Sequence, residues 1–274
     1  MKKVFILTVL LSLIFIGCND SVSGESSYEN NAKNNLINAN RIDNNIIRAV
    51  DFDYVGAEHN RILSNFYDKL SMNDVEEHNA LTFANNLIKN EIADKGVKGD
   101  DLILSNKLID EEIAKVRKEG DPLYIGYEKD LTEDAKLFLD KLNNILLIQD
   151  VNEEQRINEI EKLNSEVEIS KLSDEEKKVI FVGSAVTKYS VKFWSKNLEI
   201  IAEKFGKNNV AGKKGIWGYV KGCWAADAAG AVTGGVRTFV ANAIPGGGQA
   251  TYAGAVIGGG VAGSAAYHII NLLN

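Results

Sequence analysis

From Asp51 to Lys204 apolar residues recur at steps of three and four, the spacing that keeps them on one face of a 3.6-residue helix. The clearest stretch places Leu131, Ala135, Phe138, Leu142, Ile145 and Leu146 on one side, with Glu133, Asp134, Lys136, Lys141 and Asn144 elsewhere. Residues 153–169 repeat the device with Ile157, Ile160, Leu163 and Val167 against Glu154, Arg156, Glu159, Glu161 and Lys162. Next, Ser173 and Glu176 have the spacing of a capping box, in which each side chain satisfies a backbone N–H left free at a helix start. It opens a long helix with Val179, Val182, Val186, Tyr189, Phe193, Ile200 and Ile201 on one side. The pattern predicts helices over 53–70, 74–92, 98–119, 131–149, 153–169 and 174–204. Period-2 alternation is nowhere sustained beyond about five residues, and both prolines, Pro122 and Pro245, fall between helical patterns. The expected fold class is all-α, a helical bundle.

Beyond residue 206 the pattern changes. From Ala225 to Ala266 the chain is built mostly of glycine and alanine with interspersed Val, Ile, Phe and Tyr, a composition unlike that of a flexible linker. Steps of four from Gly222 meet Ala226, Gly230, Gly234 and Thr238; steps of four from Ala250 meet Gly254, Gly258, Ala262 and Ala266. Each half thus predicts a helix, over 223–244 and 250–273, with a ridge almost free of side chains. Gly254, Gly258, Gly259, Gly260 and Gly263 together remove roughly 5 kcal/mol of intrinsic helix stability. Close approach of a second backbone along the ridge is the compensation expected, with Gly222, Ala226, Gly230, Gly234, Gly254, Gly258 and Ala262 as packing residues. "IPGGGQ", Ile244 to Gln249, is suited to reversing the chain, which makes the tail a helical hairpin.

Two placements of that hairpin are open: against or in a membrane, or buried in the bundle. Its second half has no Asp, Glu, Lys or Arg, but the first half carries Asp227 and Arg237, and a central arginine costs about 2.5–3.5 kcal/mol on insertion. Single-helix insertion is therefore marginal, and a packed pair or oligomer fits better. Lys213, Lys214 and Lys221 with Trp217 and Trp224 make the mixture found at lipid headgroups.

At the other end, Lys2 and Lys3 precede an uncharged run from Val4 to Gly17, then Cys18 and a polar stretch. As a helix the run would reach about 21 Å, short of the about 30 Å hydrocarbon core, so it reads as a cleaved signal peptide. "LIFIGC" resembles a bacterial lipobox, which implies lipid attachment at Cys18. The expected organisation is residues 1–17 signal peptide, 18–50 polar tether, 51–206 helical domain and 207–274 glycine-ridge hairpin.

The formal charge of −7 becomes more negative when Lys2 and Lys3 leave with the leader, which argues against nucleic acid as a partner. With Cys18 lipidated, only Cys223 remains, so no internal disulfide forms. Cys223, between Gly222 and Trp224, reads as a small packed side chain. His59 and His78 each stand in an "EHN" triplet with no second ligand three or four residues away, and His268 stands alone; no metal and no cofactor are expected. No nucleophile elbow, phosphate loop or paired-cysteine spacing occurs, so no catalytic residue is assigned and the chain is not expected to be an enzyme.

"DYVGAEHNRIL" (Asp53 to Leu63), "TKYSVKFW" (Thr187 to Trp194) and "WAADAAGAVTGG" resemble segments of a family of exported Bacteroidetes lipoproteins. The Gly/Ala tail is similar to glycine-zipper proteins and to the helical region of class II bacteriocins, a similarity that implies membrane activity. The expected function is a non-enzymatic interaction or membrane-associated lipoprotein of the cell envelope, anchored in the outer membrane of a Gram-negative cell, with a protein partner or a second copy of itself. The alternative is a bacteriocin-like antibacterial effector that permeabilises membranes.

Overall fold

The computed structural model describes residues 47–70, 77–94, 97–119, 131–148, 151–204, 215–242 and 249–273. Among them the fold is all-α, with a short 3-10 turn (Ala49–Phe52) followed by α1 (Asp53–Lys69), α2 (Glu77–Asp94), α3 (Gly99–Glu119), α4 (Glu133–Leu147), α5 (Glu153–Glu168), α6 (Asp174–Lys204), α7 (Gly215–Asn242) and α8 (Gln249–Leu273). Cys18, the signal peptide, almost all of the tether, Lys213, Lys214 and the "IPGGGQ" reversal up to residue 248 lie outside the described residues. Arm α7 begins at Gly215, earlier than its apolar composition predicts, because "GIWGYVKG" continues the helix.

α7 and α8 pack on each other along much of their length. α8 also touches α1, α2, α3 and α6, while α7 is flanked by α6 and α4. The amphipathic helices therefore sheathe the Gly/Ala pair, which belongs to the same compact unit as α1–α6. Every residue whose side chain is described on α7 between Gly222 and Val236 is buried apart from the half-buried Thr233, and 256–269 of α8 is buried throughout. Of the two placements left open by the sequence, the fold has the hairpin inside the bundle.

The bare ridges explain how the two backbones meet. A Cβ on Gly230 would collide with the carbonyl oxygen and carbon of Gly259, and one on Gly259 would lie 2.5 Å from the Gly230 oxygen. One turn away, a Cβ on Gly263 would lie 2.7 Å from the Ala226 oxygen, and Gly222 makes room for the Tyr267 phenol. On α7 the contact line is Gly222, Ala226, Gly230 and Gly234. On α8 it is Gly259 and Gly263, one residue beyond the Gly258 and Ala262 line. The structure places Gly258 instead against Ile109 of α3, with Ile88 of α2 behind it. α8 needs small residues on more than one face because several helices crowd it. Ala262 is buried, and the surroundings of Gly254 lie outside the described residues.

α6 is buried on all sides from Val179 to Lys188, not along one stripe, because α1, α5, α4 and α7 surround it; Ile200, near its end, is 62% exposed. Gly183 gives Val232 of α7 its place, and Gly56 of α1 lies where a Cβ would be 2.5 Å from the Ala185 oxygen. α1 accordingly packs mainly on α6 and α8. On α4 the buried line is Ala135, Leu139, Leu142 and Leu146, with Phe138 and Ile145 half-buried. Arg156 of α5, expected on the polar face, is buried: it donates to Ile145 O and Ile148 O at the end of α4 and lies 4.9 Å over the Trp224 ring. Burial pulls its guanidinium pKa below the ordinary value.

The capping box at Ser173 is present, with Glu176 N donating to Ser173 Oγ at 3.3 Å and Ser173 N donating to Glu176 Oε2 at 3.1 Å. The same carboxylate accepts from Thr132 N at 3.0 Å and Thr132 Oγ1 at 2.6 Å, and Thr132 is itself the N-cap of α4. One glutamate thus ties two helix starts. Burial alone would raise its pKa, but the hydrogen bonds from Thr132 and Ser173 prevail and hold it below the usual carboxylate range.

The ridge geometry separates two alanine substitutions of equal helix propensity. Gly230→Ala must push backbone off backbone and is expected to destabilise by about 1–3 kcal/mol despite the better helix former. Gly258→Ala meets side-chain atoms and no backbone, Ile109 at 3.0 Å and Ile88 at 3.8 Å, and is expected to lie within about 1 kcal/mol of the parent. Urea unfolding of the two variants checks this, and equal midpoints would count against backbone contact.

Candidate functional site

The most concentrated polar chemistry in the bundle lies at the centre, where α1, α6, α7 and α8 meet. Asp227 of α7, on the same helix as the bare ridge, is fully buried. Its Oδ2 accepts from Ser190 Oγ and from Trp194 Nε1 at 3.1 Å, both on α6. Its Oδ1 lies 3.0 Å from Nε2 of His59 on α1, also fully buried. Asn60 Nδ2 donates to Tyr189 O at 2.8 Å, which turns Asn60 Oδ1 toward His59 Nδ1, 3.1 Å away. The imidazole is thus held between Asn60 on one side and Asp227 on the other. Gly260 of α8 packs against the arrangement: a Cβ there would lie 3.1 Å from the His59 ring, a tight contact to which the imidazole would have to yield.

Aromatic side chains extend the cluster to α8. Trp194 stacks on His268 with centroids 5.2 Å apart, and Tyr67 meets both edge-on, at 5.7 Å from Trp194 and 4.9 Å from His268. Burial pushes the His268 pKa down to about 3, so the ring is held neutral. Burial pushes the Tyr67 phenol up, and the negative charge that Cys223 and Asp227 can carry nearby adds to it. Tyr67 Oη is buried with no hydrogen-bond partner among the described residues. Cys223 is fully buried.

Ser, His and Asp together invite comparison with a nucleophilic triad, but the wiring is wrong for one. The carboxylate stands in the middle, accepting from Ser190 Oγ on one side and meeting His59 Nε2 on the other, so the imidazole does not reach the hydroxyl. All three side chains are sealed from solvent. Among the described residues no three His, Cys, Asp or Glu side chains converge to hold a metal ion. What the arrangement does is join three helices, α1, α6 and α7, through one buried carboxylate, whose removal would leave desolvated donors without an acceptor.

Trp224 lies under Arg156 inside the bundle and is 2% exposed, so it is not at a membrane interface in this state. Lys221 is half-buried and reaches Leu147 O at 3.5 Å, at the end of α4. Trp217 lies in α7, but its side chain and that of His78 are outside the described residues. His59 and His268 are both packing residues, the first also a hydrogen-bond partner. In the sequence Asp227 stands only as a charge in the first half of the hairpin; the signal pointing to its pairing is a lone carboxylate within a Gly/Ala helix that could not leave it uncompensated. No protein-family model matches the chain, and neither a curated protein nor a solved structure matches it significantly.

Two measurements test the cluster. Asp227→Ala is expected to cost about 3–5 kcal/mol of unfolding free energy, and His59→Leu in the same chain to recover part of it; strict additivity of the two would show that they do not interact. For His268 the folded pKa lies below the unfolded value near 6.5, so stability is full above about pH 6.5 and falls below it, by up to about 1.4 kcal/mol per pH unit, until the ring titrates in the fold near pH 3. Between pH 6.5 and 5, above the carboxylate range, urea midpoints of His268→Phe should fall less steeply than those of the parent.

Proposed function

We propose that this chain is a non-enzymatic lipoprotein of a bacterial cell envelope, held through Cys18 on the outer membrane of a Gram-negative cell, and that its helical bundle contacts a protein partner or a second copy of itself. The order of Lys2-Lys3, the uncharged run to Gly17 and Cys18 supports the anchor. The observation that carries the rest is the burial of the glycine hairpin: its ridges are occupied by each other's backbones and its remaining faces by α1, α2, α3 and α6. Such a hairpin is the interior of a folded domain at neutral pH, which leaves the acyl chains to hold the protein on the membrane. In keeping with this, no helix among the described residues is long and apolar enough to cross a membrane.

Membrane fractionation at pH 7.5 tests the reading. The native sequence is expected in the membrane pellet and Cys18→Ser in the soluble fraction, folded and helical by circular dichroism. Retention of Cys18→Ser in the pellet after a carbonate wash would overturn it. Deleting residues 207–274 should unfold the remainder, because α1, α2, α3 and α6 lose the surface they pack on; a stable, cooperatively melting remainder would mean that the hairpin is a separate module.

A further inference from the structure

We propose that the cluster of Asp227, His59, Trp194 and His268 is an acid-sensitive latch, and that opening it releases the α7–α8 hairpin to bind a lipid surface. This goes beyond the anchored bundle above and does not depend on Cys18.

The geometry gives the latch its place. Asp227 fastens α7 to α1 and α6 through His59, Ser190 and Trp194, and Trp194 with Tyr67 encloses His268 of α8. Each arm of the hairpin is therefore held against the same two sheath helices by one connected set of side chains. The ionisable groups facing this part of α8 are Tyr67 and His59 of α1, Cys223 and Asp227 of α7 and, nearer Gly263, Glu112 of α3; α6 presents Trp194 and Ser190, and α2 presents Ile88 to Gly258. Burial disfavours a charged His268 inside the closed bundle, whereas an opened hairpin exposes the ring to water, where it protonates at its ordinary pKa. Proton uptake by the open state alone raises its population by up to tenfold for each pH unit below about 6.5.

The hairpin also has the composition for the second half of the proposal. α8 carries no Asp, Glu, Lys or Arg in its 25 residues, and Val256, Ile257, Val261 and Ile269 are all buried in the closed form. Once the sheath helices α1, α2, α3 and α6 part from it, that apolar surface meets water unless a lipid surface takes it up. The occupant is thus a bilayer interface, and neither a spanning helix nor a specific headgroup is required.

The closed structure supplies a way to forbid the motion. A Cβ built on Gly183 of α6 lies 4.0 Å from Val232 Cβ of α7, within the separation a disulfide spans. Full-length Cys18→Ser, Cys18→Ser with His268→Phe, and Cys18→Ser with Gly183→Cys and Val232→Cys are sedimented with neutral phosphatidylcholine vesicles, which removes electrostatic attraction as the acidic protein passes its isoelectric point. The bound-to-free ratio of the first should rise by up to tenfold per pH unit from 6.5 to 4.5. The oxidised staple should abolish the rise and reductant restore it, and His268→Phe should flatten the profile while remaining helical at pH 7.5. No binding at pH 4.5, binding indifferent to the staple, or a His268→Phe profile matching that of the parent would overturn the proposal. Because every arm lacks the anchor cysteine, the result stands apart from whether Cys18 carries lipid.

Discussion

Two helices in this bundle touch backbone to backbone, and the rest of the packing is arranged around that contact. At Gly230 and Gly259 no side chain stands between α7 and α8, so the interaxial distance is set by carbonyl oxygens and Cα atoms. Glycine lowers intrinsic helix stability by about 1 kcal/mol per residue. A helix containing a Gly258-Gly259-Gly260 run persists only where tertiary contacts on several sides offset that loss. The sheath provides them: Ile109 and Ile88 fill the space beside Gly258, and His59 fills the space beside Gly260. Small residues in α8 are thus sockets as well as a ridge.

Once the hairpin is the core, its lone carboxylate has to be satisfied there. Asp227 sits too deep to reach water, and the donors come from the neighbouring helices: Ser190 and Trp194 four residues apart on α6, and His59 on α1. The spacing on α6 puts both donors on one face of that helix. Orientation follows by a short chain of bonds, since the Tyr189 carbonyl fixes Asn60 and Asn60 fixes the imidazole. A site of this kind orders the packing of α1, α6 and α7, because any shift of one relative to the others breaks a buried hydrogen bond. The same logic holds at the periphery, where Glu176 ties the starts of α4 and α6, and Arg156 ties the end of α4 to α5 and to Trp224.

Features of local origin are legible in the chain itself. The six amphipathic helices follow from apolar spacing, and the capping box at Ser173 follows from two residues three apart. The line Gly222, Ala226, Gly230 and Gly234 faces α8 as its four-residue repeat implies. The matching line on α8 differs by one residue because that helix has small residues on more than one face, and spacing alone gives no preference among them. Arg156 and Ile200 lie on sides opposite to those their chemistry implies. Arg156 has carbonyls at the end of α4 to donate to, and Ile200 lies where α6 runs past the helices that cover its middle.

The chain's own pattern determined that it is all-α, where six of its helices run, and that two further rods with bare ridges follow them, since helix periodicity and the absence of side chains are properties of short stretches. Whether those rods face lipid or protein was decided only by the tertiary structure. Burial depends on which surfaces the other helices offer, and that is settled by residues far apart in sequence: His59 and Asp227, 168 positions apart, form a pair that no local spacing encodes. The same holds for the depth of His268, whose single position in an uncharged helix becomes a titratable group held neutral only when Trp194 and Tyr67 close over it.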